Sequence, residues 1–122
     1  MFDERSPIYR QIADQIKDDV LRGALGADEQ VMSTNQYAAY FRINPATAAK
    51  AFQQLVDENV IYKRRGVGMF VSAGAQERLR RQRRERFFAE VLEPMAAEAR
   101  TLGIPVADIV ARISALIPGD GR

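Results

Sequence analysis

The stretch INPATAAKAFQQLVDENVIYKRRGVGMFVS, residues 43–72, decides the fold. It opens on the clearest helix start in the chain: Asn44 offers a side-chain oxygen as N-cap, and Pro45 brings a pre-set φ to the first helical position. Ala48, Ala51, Phe52 and Leu55 then fall on one stripe at helical spacing, which predicts a helix over about 45–58 with that stripe inward. Asn59 suits the left-handed position that closes a helix. Beyond it, VIYKRR and MFVS are short β-favouring runs, and Gly66, Val67 and Gly68 between them make the turn of a hairpin with a basic tip.

Working back from Asn44, Ser33 followed by Gln36 fits a capping box and predicts a short helix over about 34–41, with Tyr37, Ala38 and Phe41 as its core face. About three residues then separate it from the next helix, which forces a tight αα corner. Further back, Ser6 as N-cap and Pro7 as first helical residue start a helix over about 7–22, with Ile8, Ile12, Ile16 and Val20 as its apolar stripe. Gly23 and Gly26 end it, and GALGADEQ reads as a polar connection. The result is a mainly α fold with a small β-hairpin wing. Such a winged helix-turn-helix can place its third helix in the DNA major groove.

Working forward, the small-residue run SAGA, 72–75, divides the chain into a winged domain, 1–73, and a helical module, 74–122. A long helix is expected over about 76–102, where Phe88, Leu92, Met95, Ala99 and Leu102 repeat at heptad spacing. Pro94 interrupts it, so the helix either kinks there or gives way to a second helix. Gly103 stops it, and Pro105 begins a last helix over about 105–117 with Val106, Ile109, Ile113 and Leu116 on one stripe; PGDGR is a frayed tail. So small a chain has little to cover both stripes. Part of this surface is expected to pack within the module and part to form a homodimer interface through Phe88, Leu92, Met95, Ala99, Leu102, Ile109 and Ile113.

Composition narrows the function classes. A chain of 122 residues, 47% hydrophobic and 28% charged, is one small globular protein, able to bury roughly two thirds of its unfolded surface. With 0 Cys and 0 His, it has no thiolate, imidazole or zinc-type ligand set, and isolated carboxylates give no catalytic constellation. No enzyme activity, cofactor or metal is expected. The N-terminus lacks an apolar signal core and no run approaches a membrane span, so the cytoplasm is the expected compartment and no membrane partner follows.

Net charge is only +2, but residues 63–86 hold nine cations against two anions, net +7, which leaves the remainder at −5. The candidate DNA contacts sit at three places: Ser33, Thr34 and Asn35 at the second helix; Asn44, Pro45, Ala46, Thr47 and Lys50 at the third; Arg64, Arg65 and Gly66 at the wing tip. Each also has a plainer role, as cap, turn residue or solvated charge. The arginine run over 78–86 is open between a solvated face, a DNA-flanking patch and an acidic-partner site. A winged-helix module that meets a protein or membrane surface through that run is the competing reading.

These residues carry a specific resemblance. PIYRQIADQI with VLRG after it, then INPATAAKAFQQLVDENVIYKRRGVGMFV, resembles the GntR superfamily of bacterial transcription regulators, in its short YtrA subfamily, over residues 7–71. The remaining residues are similar in length and heptad character to that subfamily's two-helix dimerisation module. The resemblance implies a homodimeric regulator, most often a repressor, on a pseudo-palindromic double-stranded operator. It implies DNA contact by Ser33, Asn44, Pro45, Thr47, Lys50, Arg65 and Gly66. It leaves any small-molecule effector to the dimer interface or the domain junction. The usual L-P-S-x-R at the second helix is Val31, Met32, Ser33, Thr34, Asn35 here, so the family's arginine is an asparagine, and Lys50 stands for the usual arginine. Ala46 and Ala49 are likewise blander than is usual on the third helix, and with the asparagine they imply weaker or altered operator recognition.

Overall fold

The computed structural model describes residues 6–119; the first five residues and the end of the expected frayed tail, from 120 on, lie outside the described residues. The chain divides into two compact units, one reaching to Gln82 and one starting at Arg83.

The first unit holds α1 (Ile8–Leu21), α2 (Thr34–Phe41), α3 (Pro45–Asp57), β1 (Ile61–Arg64), β2 (Gly68–Val71) and the first part of α4 (Ala75–Phe87). Helix α1 starts one residue later than its sequence implies. Pro7, not Ser6, is the N-cap, and its carbonyl accepts from the Arg10 and Gln11 amides at 3.1 and 3.3 Å. Its buried face is Ile12, Ala13, Ile16 and Val20 rather than a stripe that includes Ile8, because Ile8 lies in the first turn and stays 43% exposed. These residues meet Tyr37 and Ala38 of α2 and Ala48, Ala51, Phe52 and Leu55 of α3 in one core, closed by Val60, Ile61 and Val71.

Ala75 and Leu79 belong to that same core. The first compact unit therefore extends past the small-residue run at 72–75, because the opening turns of α4 supply apolar residues to it. Arg78 reinforces the junction: its Nη2 donates to the Asn59 carbonyl at 2.6 Å and its Nη1 to the Ala73 carbonyl at 3.3 Å. Asn59 itself takes φ +61, the left-handed closing residue that the sequence asks for.

Strands β1 and β2 are antiparallel, with Ile61 opposite Val71 and Arg64 opposite Gly68. The far edge of β2 is not bare. The Val31 amide donates to the Met69 carbonyl at 2.9 Å, the Val71 amide to the Glu29 carbonyl at 2.9 Å, and the Asp28 amide to the Val71 carbonyl at 2.8 Å. Asp28, Glu29 and Gln30, read in the sequence as part of a polar connection, thus line the outer edge of β2 together with Val31, with Gln30 bridged to Phe70.

The second unit begins in the latter part of α4 and holds α5 (Glu93–Leu102) and α6 (Val106–Leu116). The long helix expected over 76–102 is interrupted at Phe88–Leu92 by a π-helical turn, in which the Glu93 amide reaches the Phe88 carbonyl. The chain passes from α4 to α5 through this turn, just before the proline at 94. Pro94 has no amide for the Glu90 carbonyl, and its ring would crowd that carbonyl in a regular α-turn. A widened turn relieves the clash while the backbone stays helical, with Leu92 at φ −68, ψ −48. Pro105 is the N-cap of α6 rather than its first residue, and Gly103 closes α5. No described helix is long and apolar enough to cross a membrane.

Candidate nucleic-acid interface

The start of α3 is held open by its own cap. Asn44 Oδ1 accepts from the Ala46 amide at 2.7 Å, and the Asn44 carbonyl takes the Thr47 and Ala48 amides at 3.0 and 3.1 Å. With Ala48, Ala51, Phe52 and Leu55 facing the core, Asn44, Pro45, Ala46 and Lys50 are left exposed and Thr47 half-buried. The corner into α3 is equally defined. Arg42 adopts φ +57, ψ +50, and the Ile43 amide returns to the Ala38 carbonyl at 3.0 Å, which fixes the angle between α2 and α3.

At α2 the capping box forms in full: the Gln36 amide donates to Ser33 Oγ at 3.0 Å, and the Ser33 amide to Gln36 Oε1 at 2.9 Å. Ser33 and Asn35 are exposed and Thr34 half-buried. The Ser33 hydroxyl is therefore committed to the cap as an acceptor, while its proton remains free to donate outward.

The wing tip is a four-residue turn in which the Val67 amide donates to the Arg64 carbonyl at 2.9 Å, with Gly66 at φ +77. Arg65 and Gly66 are exposed at its apex, and the Arg64 guanidinium carbon lies 5.5 Å from the Phe70 ring centroid. Gln30, which the sequence did not single out, ties this turn to the segment before α2: its Nε2 donates to the Val67 carbonyl at 3.1 Å. Tyr62 stacks on Phe70 at 5.8 Å and donates its hydroxyl to Asp28 Oδ1 at 2.8 Å, a bond that pushes the phenol pKa up. The wing and the segment from Asp28 to Val31 that leads into α2 are thus one hydrogen-bonded assembly. Nothing in the sequence near Gln30 or Asp28 signals this, since both bonds are long-range.

Tyr9 was also missed. It lies beside the apolar stripe of α1, and its ring sits 4.3 Å from Lys50 Nζ, in an open groove of ≈ 450 Å³ that Ile8, Tyr9, Ala46, Thr47 and Lys50 line. The structure brings the start of α1 and the start of α3 together there. Neither the wing tip nor the α2 cap lines that groove.

The arginine run is not one patch. Arg78 is bound to the Asn59 and Ala73 carbonyls, Arg80 pairs with Glu77 at 3.1 Å, and Arg86 lies 3.8 Å from Glu90. Of the expected interface positions, Phe88, Leu92, Leu102 and Ile113 are exposed, Met95 and Ile109 half-buried, and Ala99 is already covered within the chain.

Comparison with known proteins agrees with this architecture. Residues 8–71 match the gntR family of bacterial regulatory proteins. The repressor NagR of Bacillus subtilis (strain 168) is 38% identical over 71 residues, covering 58% of this chain and 29% of that repressor. The repressor YtrA of the same organism is 34% identical over 74 residues, 61% of this chain and 57% of YtrA. The chain thus spans well under two thirds of the length of either. Among solved structures, a GntR-family regulator from Bacteroides thetaiotaomicron superposes at a TM-score of 0.75 with 33% identity, covering 91% of this chain and 96% of that one. The AraR DBD in complex with operator ORX1 superposes at 0.55 with 25% identity over 59% of this chain and 93% of its own. The chain belongs to the gntR family of bacterial regulatory proteins and, within it, to the YtrA-like regulators: a family of winged helix-turn-helix DNA-binding proteins, not of enzymes.

Proposed function

We propose that the chain is a cytoplasmic, homodimeric transcription repressor that binds a pseudo-palindromic DNA operator with one α3 in each half-site. The observation that carries the reading is the outward, capped start of α3, where Asn44, Pro45, Ala46 and Lys50 are exposed opposite a fully buried stripe. A helix presented in this way reads base edges with the exposed side chains of its first turns. Lys50 and Thr47 address the groove, Arg64, Arg65 and Gly66 follow the adjacent backbone, and Ser33, Thr34 and Asn35 approach phosphate at α2. Asn35, in place of the family's arginine, removes one charge from that contact. NagR and YtrA are both named as repressors, which supports the sign of regulation.

Residues 74–122 act as the dimerisation module in this reading. Among the described residues of the second unit, Ala99 is the one buried side chain, while Phe88, Leu92, Leu102 and Ile113 stay exposed. A segment this short, with so little core, is completed by a second copy. A two-fold dimer requires an inverted repeat with half-sites about 34–36 Å apart or a multiple of that.

Selection of bound sequences from a randomised duplex pool tests the operator symmetry. Anisotropy titration of a selected duplex then tests the contact chemistry. A dimer making about six to ten phosphate contacts loses about 10³–10⁵ in affinity between 50 and 200 mM salt. A flat salt response, or selected sequences without an inverted repeat, rejects the proposal.

A further inference from the structure

We propose that Tyr9 is a positioning residue for DNA recognition: its ring holds the Lys50 ammonium in the orientation from which that lysine meets DNA. The inference rests on the proposed role of Lys50 as a DNA contact. Lys50 Nζ lies 4.3 Å from the Tyr9 ring centroid, within the range of a cation–π contact. Tyr9 is half-buried and packs against the core of the winged unit, so the ring is a fixed platform, whereas Lys50 is exposed. Both line the groove that also contains Ala46 and Thr47, the first turn of α3.

An exposed lysine has many rotamers, and ordering them on binding costs affinity. A fixed ring under the ammonium narrows that set before DNA arrives. It also restricts which base edge or phosphate the ammonium can reach, so it acts on preference as well as affinity. The ring is shared: Arg10 Nε donates to Tyr9 Oη at 3.3 Å, and the Arg10 guanidinium carbon is 5.9 Å from the centroid. Tyr9→Phe therefore keeps the platform and removes the Arg10 hydrogen bond, whereas Tyr9→Leu removes the platform and keeps apolar bulk.

The test uses the full chain and a duplex selected by the wild-type protein from a randomised pool. Circular dichroism first establishes that each variant is folded. Lys50→Ala is expected to lose about five- to 150-fold in affinity if the lysine meets a base edge. Tyr9→Leu is expected to lose about two- to five-fold, the worth of an exposed cation–π contact, and to flatten preference at the base pair that Lys50 reads. Tyr9→Phe is expected to match wild type, and Tyr9→Leu to have no further effect in the Lys50→Ala background. In the free protein, the Lys50 ε-methylene protons are expected upfield from the ring current, unchanged in Tyr9→Phe and released in Tyr9→Leu.

If Lys50→Ala leaves binding unchanged, the contact role of Lys50 falls and the positioning role falls with it. If Lys50→Ala weakens binding but Tyr9→Leu costs as much with or without Lys50, Lys50 stands and the link between the two is overturned. A Tyr9→Leu variant that binds more tightly also overturns it, because the ring would then withhold the lysine from DNA.

Discussion

Tyr37 illustrates how one side chain can serve two surfaces. Its ring is buried against Phe41 and Phe52, at centroid distances of 4.4 and 5.6 Å, while its hydroxyl donates to Gln15 Oε1 at 3.1 Å and so ties α2 to α1. Burial first, and the Asp19 carboxylate second, push its phenol up to about 12 from 10.0. The neutral form is thus favoured in the folded state, and the stability it contributes is complete below about pH 10. That stability is lost as pH rises through about 12, because the unfolded chain releases its proton earlier. Urea unfolding between pH 9 and 11.5 is expected to show a falling midpoint in the wild type and a shallower fall in Tyr37→Phe. Parallel slopes for the two proteins would assign alkaline sensitivity to other groups. Arg78 makes a similar point about charge: it stands at the head of an arginine run, yet its guanidinium is taken up by two backbone carbonyls of its own chain.

Among the elements, the wing depends most on a single backbone position. Gly68 starts β2 at φ +143, and a Cβ there would run into the side-chain amide of Gln30 that holds the Val67 carbonyl. Gly68→Ala must strain the backbone and displace Gln30, at a cost of roughly 1–3 kcal/mol. A thermal melt lowered by several degrees is expected, together with weakened operator binding; an unchanged melt would mean that the hairpin end relaxes freely.

The same element marks where sequence reading stops. The hairpin, its basic tip, the capping box of α2 and the Asn44 cap of α3 are legible because each is made by residues within a few positions of one another. What couples the wing to the segment before α2 is not, because the Gln30–Val67 and Tyr62–Asp28 bonds join residues far apart in sequence and neither has a periodic signature. Tyr9 escapes for the same reason: its neighbour Ile8 fits the stripe of α1 by spacing, yet the exposed first turn leaves both at the groove. The π-turn at Phe88–Leu92 is hidden by an opposite effect. Phe88, Leu92, Met95, Ala99 and Leu102 keep a heptad rhythm that reads as uninterrupted α-helix, and only the proline at 94 betrays it.

At the scale of the whole molecule, the two units differ in what they lack. The first has a closed core. The second leaves Phe87, Phe88, Val91, Leu92, Val110 and Ile113 exposed on a short helical segment, an apolar surface larger than its own few buried atoms can account for. In the proposed dimer this surface is where the partner sits, and Leu92, 37% exposed at the end of the π-turn, lies within it. Leu92→Asp introduces a carboxylate that stays hydrated in the single chain but is buried unpaired on association, at roughly 3–5 kcal/mol per charge. Two copies of that penalty in a two-fold interface dissociate the dimer without touching the core formed by Ile12, Phe52 and Leu55. Light scattering is therefore expected to report a monomer, with circular dichroism retaining most of the helix signal and the operator affinity collapsing toward that of one half-site. A Leu92→Asp protein that remains dimeric with undiminished operator affinity would move the interface away from the heptad positions and make their exposure a surface for something else.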